Sequence, residues 1–390
     1  MKSNNKIKEN KVNKVSMENR YEAMFTLHSL GDTMGFKNGD WEYLKGRNIT
    51  LDIVNELVYE FINLGGINGI DISNWIASDD TLYHISTAKT MLKYGGNIDK
   101  KFLLVAKNEI IVNYNKIMEE IFGRSKSGRR NRSPGINTTK YIQKYTNEKD
   151  ASHFPYDVSS GGNGCAMKML CVGACLYGKK KREELINVSI RLSKLTHNSP
   201  IGFLGGLVTA LFTAFAIEGI NIEKWPFEML AILESKSVKK HIYSKLNDSF
   251  EEINDYLEFI KIWKKYLASR FKDKKLIINK SHTNMVLRVK YYHQILVYDT
   301  RAHRMGESGY GAGIMAYDGL IDCTGNWEKL FFYTALHPGD SDTVCAIASG
   351  LFGIYYGYSD APIRLVEQLE FGKTLKKVAK KIYEKYGKLS

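Results

Sequence analysis

Apolar residues recur along this chain with the 3.6-residue period of α-helices. Val54, Leu57, Val58, Phe61 and Ile62 fall at i, i+3, i+4, i+7 and i+8, and Ile110, Ile111, Tyr114, Ile117, Met118 and Ile121 repeat the spacing. The same pattern predicts helices over 80–93, 164–177, 183–196, 224–234, 248–270, 327–336, 343–356 and 362–386. Residues 284–299 are β-branched enough to leave helix and strand both open. No strand–helix alternation and no repeat of fixed period is visible. With six prolines and no Pro/Gly/Ser-rich linker, the expectation is all-α: one compact multi-helix domain over 18–390 behind a disordered basic tail at 1–17.

One stretch raises a membrane question. Residues 195–217 contain no Lys, Arg, Asp or Glu, which is long enough to cross a bilayer. The segment also holds Gly202, Gly205, Gly206, Ala210 and Ala214, small residues that let helices approach closely in a soluble core as well as in lipid. Residues 343–359 are similarly uncharged but follow directly on two aspartates. Buried core helices, and no membrane, are the expectation.

Charge changes the picture less than its size suggests. The formal net charge of +14 points first to nucleic acid or an acidic surface. Three segments carry it: 1–16 at net +4, 124–132 at +5 and 373–388 at +6, leaving the remainder near −1. The body is therefore close to neutral, and no specific nucleic-acid partner is expected. The 124–132 run reads as a solvated loop, or as a steering patch for an anionic substrate. Lys376, Lys377, Lys380 and Lys381 read as the wet face of a terminal helix whose apolar side holds Leu375, Val378, Ile382 and Tyr386. Five cysteines without a CxxC pair argue against a disulfide framework or structural zinc and for a reducing compartment, the cytoplasm. The Lys/Asn-rich N-terminus shows no apolar secretory core.

Chemistry is concentrated in two short acidic clusters, Ser78-Asp79-Asp80-Thr81 and Asp340-Ser341-Asp342-Thr343, each preceding an apolar helical run. A helix start needs one cap, and Ser or Asp supplies it. Each cluster supplies two carboxylates plus hydroxyls, hard oxygen donors that suit Mg²⁺, Mn²⁺ or Ca²⁺ rather than zinc. Between them, Gly161-Gly162-Asn163-Gly164-Cys165-Ala166-Met167 is a glycine-rich turn opening a helix, a form that suits phosphate or simply a tight turn. It lacks the Lys-Ser/Thr end of a P-loop and the preceding strand of a Rossmann fingerprint.

In order, the segments Gly31-Asp32-Thr33-Met34-Gly35, Asn38-Gly39-Asp40-Trp41-Glu42, SDDT at 78–81, Ser133-Pro134-Gly135, GGNGCAMK at 161–168, Thr196-His197-Asn198-Ser199-Pro200, Ala316-Tyr317-Asp318 and His337-Pro338-Gly339-Asp340-Ser341-Asp342-Thr343 resemble the ADP-ribosylglycohydrolase family, most of all its ADP-ribosylarginine hydrolase branch. The resemblance runs from about Arg20 to Tyr386. It implies an all-α fold with two divalent ions, Mg²⁺ with Mn²⁺ as a substitute, in a central dinuclear cleft. It places Ser78, Asp79 and Asp80 in one half of the metal site and Asp340, Asp342 and Thr343 in the other. Glu42, Gly135, Gly162, Asn163, Gly164, Cys165, His197, Ser308, Tyr310 and Gly311 fall where the family embraces ADP-ribose. The implied activity is hydrolysis of the N-glycosidic bond between ADP-ribose and arginine on mono-ADP-ribosylated proteins by a monomeric enzyme. Asp80, then Asp79, is the expected acting carboxylate.

The chain departs from the family pattern in places. Pro338-Gly339 replaces a Gly-Gly pair before the second cluster, Lys168 stands where Arg is common, and Ser308-Gly309-Tyr310-Gly311-Ala312-Gly313 replaces SGHDAP. The last change opens two alternatives: another linkage, serine or O-acetyl-ADP-ribose, or a non-catalytic ADP-ribose binder. Tyr310 is read either as a ring for adenine to stack on or as a packed tyrosine, and Cys165 as a small buried thiol.

Overall fold

The computed structural model describes residues 15–44, 52–124, 132–147, 155–243, 250–278, 280–298 and 300–388. Most of the predicted tail, 1–14, and most of the basic loop, 125–131, lie outside the described residues. The principal helices are α1 (Met17–Phe36), α2 (Ile53–Asn63), α3 (Asp79–Leu92), α4 (Lys100–Arg124), α5 (Ile136–Asn147), α6 (Leu170–Cys175), α7 (Arg182–Ser193), α8 (Pro200–Ile217), α9 (Trp225–Leu233), α10 (Phe250–Arg270), α11 (Met285–His293), α12 (Gly309–Cys323), α13 (Trp327–Ala335), α14 (Ser341–Tyr356) and α15 (Gly372–Ile382). One antiparallel pair, Phe271–Lys272 with Lys275–Leu276, makes a short hairpin after α10.

Among the described residues the main apolar core runs from Tyr21 in α1 to Tyr386 beyond α15, and a smaller cluster of Leu82, Tyr83, Ile110, Ile117, Ile142 and Met167 lies between α3, α4 and α5. At its centre α1 lies along α14 so closely that a Cβ on Gly353 would stand 2.5 Å from the Ala23 carbonyl, and one on Gly31 2.4 Å from the Cys345 oxygen. Glycine at these positions lets the two backbones touch. That contact brings the start of α14, with its aspartates, beside the C-terminal half of α1.

The uncharged segment forms α8, started by Ser199, whose side chain accepts from Ile201 N–H, with Pro200 at the first helical position. Of its 18 residues, 94% are buried inside the protein, as for a core helix. A Cβ on Gly205 would meet the Gly309 backbone at 2.7 Å, so the small residues serve the crossing of α8 with α12.

Three expectations, for 164–177, 362–386 and Arg132, need correction, and one open reading is resolved. The 164–177 helix is a 3₁₀ turn, Ala166–Lys168, followed by α6. The 362–386 helix is interrupted between Ile363–Val366 and α15. The ambiguous 284–299 stretch is helical over its described residues from Met285 to Tyr298: α11 continues into a π-turn at Gln294–Tyr298. Arg132, assigned to the solvated basic loop, is buried and paired with Glu120 and Glu370 at 2.9 and 2.8 Å. The lysine face of α15 is exposed, with Leu375, Val378 and Ile382 beneath it, as its period requires. All five cysteines are free and buried.

Candidate active site

Both acidic clusters do cap helices. Ser78 Oγ accepts from Asp80 N–H at 3.2 Å to start α3, and Asp340 caps α14 by accepting from Thr343 N–H at 3.4 Å. Capping uses Ser78 and Asp340 and leaves Asp79, Asp80 and Asp342 in the first turns. The two helix starts face each other: the Thr343 hydroxyl donates to the Asp80 carboxylate, and Asp80 feels the charges of Asp32, Asp79 and Asp340.

A third element fastens one of these starts. Asp32 in α1 accepts from Ser78 N–H at 3.0 Å, Thr81 N–H at 3.1 Å and the Thr81 hydroxyl at 2.5 Å. These bonds hold the first turn of α3 against α1, but they leave a fully buried carboxyl whose pKa burial raises. Asp32 lies in the segment at 31–35 and is a site residue that local sequence does not announce. What signal there is comes from an aspartate between two glycines, Gly31 and Gly35, within a run that reads as core.

The charges that raise the carboxyl pKa values in this cluster are those of its own neighbouring acids. Burial pushes Asp79 up to about 8, assisted by Glu42 and Asp32, while the Gly135 N–H bond opposes the shift. Asp80 and Asp342 are raised well above the carboxylate range, first by burial and then by neighbouring acids, with Glu42 the foremost for Asp342. Glu42 therefore acts on both halves of the cluster, and Gly135 touches one of them.

Tyr43 is a further residue that sequence reasoning missed. Its hydroxyl donates to Asp340 Oδ2, and its N–H donates to the Gly339 carbonyl at 2.9 Å. It occupies the left-handed region at φ 54°, in a segment where Lys37, Asn38 and Leu44 do so too. No local periodicity announces such a contact.

The glycine turn is tied to the same place. Asn163 donates through Nδ2 to Asp340 Oδ2 at 2.8 Å and to the Gly306 carbonyl at 2.7 Å, while its N–H goes to the Glu307 carbonyl. Gly162 bridges to Ser308, whose Oγ accepts from Gly311 N–H and caps α12. His197 lies against the turn; a Cβ on Gly164 would be 2.7 Å from its Cε1. Cys165 is fully buried with its thiol raised by burial. Tyr310 is 1% exposed, edge-on to Phe259, with its hydroxyl toward Glu258. Its ring is occupied by the protein, so the adenine-stacking reading gives way to that of a packed core tyrosine. Lys168 is likewise buried rather than offered to a phosphate.

The donor set fits a hard divalent cation: carboxylates of Asp79, Asp80, Asp340 and Asp342 with hydroxyls of Ser78 and Thr343. Asp80 Oδ2 is buried with no hydrogen-bond partner, an atom that a cation would satisfy. Among the described residues no three acidic, histidine or cysteine side chains are gathered into a ready metal cage, and the dinuclear cleft is not shown.

The profile of the ADP-ribosylglycohydrolase family matches residues 13–389. The chain is 35% identical over 329 residues to a putative ADP-ribosyl glycohydrolase, L444, of Acanthamoeba polyphaga mimivirus, covering 84% of this chain and 62% of that protein's own length. It is 29% identical over 406 residues to ADP-ribosylhydrolase ARH1 of Dictyostelium discoideum, covering 97% of each. A solved chain described as an ADP-ribosylglycohydrolase-related protein complex superposes with a TM-score of 0.55 over 95% of this chain and 99% of that one; at 17% identity the likeness is one of fold.

Proposed function

The chain belongs to the ADP-ribosylglycohydrolase family, and we propose that it hydrolyses ADP-ribosyl linkages with divalent metal ions, releasing ADP-ribose from modified arginine on proteins. Family membership supports the hydrolysis of ADP-ribose linkages, and the similarity to ARH1 favours arginine among them. The observation that carries the reading is the meeting of two acidic helix starts around an unpartnered, buried Asp80 oxygen.

Ser78, Asp79 and Asp80 would hold metal from one side, and Asp340, Asp342 and Thr343 from the other. Bound Mg²⁺, or Mn²⁺, would supply positive charge for the ribose hydroxyls and make a water more acidic. The protein's own groups do the rest. Asp80, held by the Thr343 hydroxyl, takes the water proton as the oxygen attacks the anomeric carbon. The C–N bond to the guanidinium breaks, and the proton passes on to the departing nitrogen. Negative oxygens of Asp79 and Asp342 favour the oxocarbenium-like transition state. N–H groups of Gly162, Gly164 and Cys165 are offered to the pyrophosphate. Glu42 closes over the acidic cluster from the segment that also carries Tyr43.

Asp79→Asn/Asp80→Asn is expected to abolish ADP-ribose release from arginine-modified protein while the melting temperature holds or rises. Magnesium-dependent turnover at the wild-type rate in the folded double variant would remove the assignment. A second linkage reading, serine or O-acetyl-ADP-ribose, keeps its place because 308–313 lacks the His and Asp of the arginine pattern and Tyr310 is committed to the core.

A further inference from the structure

Lys168 ends the 3₁₀ turn that leaves the glycine loop, and it is only 2% exposed. Among the described residues its ammonium makes no ion pair. Its hydrogen-bond partner is the Thr196 hydroxyl at 2.8 Å. A buried lysine held by a single neutral oxygen is costly, and burial lowers its pKa. What that oxygen touches next suggests why the lysine is there.

Thr196 Oγ1 lies 3.0 Å from His197 Nδ1 and 3.9 Å from Cys165 Sγ. An ammonium can only donate, so Lys168 occupies a lone pair of the threonine oxygen. Cys165 has one proton and directs it to the Ser193 carbonyl at 3.4 Å. The Thr196 proton is left with a choice between a ring nitrogen at ordinary hydrogen-bond length and a weakly accepting sulfur 3.9 Å away. It goes to Nδ1. A neutral imidazole that accepts at Nδ1 carries its own proton at Nε2. Burial, with Lys168 adding to it, keeps this ring neutral, its pKa lowered to about 3.

Nε2 lies, with Cε1, on the edge of the ring that faces the glycine turn. A Cβ on Gly164 would lie 3.0 Å from it and one on Gly162 3.5 Å from it. We propose that Lys168 and Thr196 form a relay that fixes His197 as its Nε2–H tautomer, so that the ring presents a donor to an anionic oxygen of a ligand seated in the 161–164 turn. Lys168 and Thr196 are positioning residues: they act through His197. The ligand class is a pyrophosphate or another oxyanion, which His197 meets as a neutral donor. The ligand half of the inference rests on the turn being the seat of ADP-ribose; the tautomer does not.

Histidine-selective ¹⁵N labelling of the full chain, with His197 assigned by its loss in His197→Asn, reads the tautomer directly through long-range ¹⁵N–¹H correlations. The wild-type ring is expected to show a protonated Nε2 and a bare Nδ1. Thr196→Val, nearly isosteric, removes the relay hydroxyl and should give a mixed or inverted tautomer. Lys168→Met should do the same, while Lys168→Arg, which still donates, restores the wild-type pattern. Should Lys168→Met not fold, Thr196→Val alone decides. A protonated Nδ1 in the wild type, or a tautomer untouched in folded Thr196→Val, overturns the relay. ADP-ribose titrated calorimetrically into the same proteins should bind Thr196→Val about tenfold more weakly, the loss of one hydrogen bond. Unchanged affinity with an altered tautomer overturns the donor role. A wild type that binds no ADP-ribose instead defeats the proposed function, and the tautomer result still stands or falls separately.

Discussion

Asp80 is where residue-scale costs gather, with the charges of Asp32, Asp79 and Asp340 acting on it and one oxygen without a partner. Such a carboxyl can be neutralised by a proton or by a cation, and the two compete. Asp79 gives the competition a measurable scale. Its pKa is raised from 3.8 to about 8, so without metal it is mostly protonated at pH 7. Because the unfolded carboxyl titrates lower, this group favours the metal-free fold increasingly as pH falls from 8 toward 4, and opposes it above 8. Adding Mg²⁺ to metal-free protein at pH 7 in weak buffer should therefore release protons from this cluster. A pH electrode or calorimetry in two buffers of different ionisation enthalpy measures this, and metal binding without proton release would contradict the shared-charge account. At this scale the sequence was informative where like residues sit side by side, as in Ser78-Asp79-Asp80. It was silent on Tyr43, Asp32 and the Lys168–Thr196 pair, whose roles arise from contacts between distant segments.

Helices were legible where they have two faces. α2, α4 and α15 showed their period because water lies on one side. α1 and α12 carry motif segments but were not among the helices predicted from spacing, since α12 is buried throughout and α1 nearly so, leaving no polar stripe to give a period. The break inside 164–177 has a similar origin: its apolar spacing reads through, while the bonds of Asn163 and Cys165 shape a 3₁₀ turn. The contact of α1 with α14 is the element on which the site depends most. Gly353→Ala would drive a methyl group into the Ala23 backbone, where little can yield. A loss of about 1–3 kcal/mol is expected, from overpacking. Because the shift also moves the start of α14, metal affinity should fall with stability. Urea melts with and without Mg²⁺ test both; an unchanged midpoint would show that the helices separate freely.

For the whole molecule, the charge that first suggests nucleic acid is confined in sequence to 1–16, 124–132 and 373–388, and the interior contains its own balanced set. Arg270 and Arg288 pair with Asp318 and Asp322 in a buried square, with Tyr266 and Tyr292 also donating to Asp318. It joins α10, α11 and α12. Here a quoted motif, Ala316-Tyr317-Asp318, proves to be structural: Asp318 is held low by Arg288 and Arg270 despite its burial. Arg288→Met leaves the two aspartates short of a cation and should cost about 3–5 kcal/mol in chemical denaturation, far more than loss of a surface pair.

The central claim is that the two acidic helix starts, once filled by metal, cleave an ADP-ribosyl bond. Its most direct test is release of ADP-ribose from arginine-, serine- and O-acetyl-linked substrates by the purified chain, in Mg²⁺ and in EDTA. Release from the arginine linkage in Mg²⁺, slower release from the other two, and none from any substrate in EDTA are expected. Release undiminished by EDTA, or no release from any linkage in Mg²⁺, would contradict that claim.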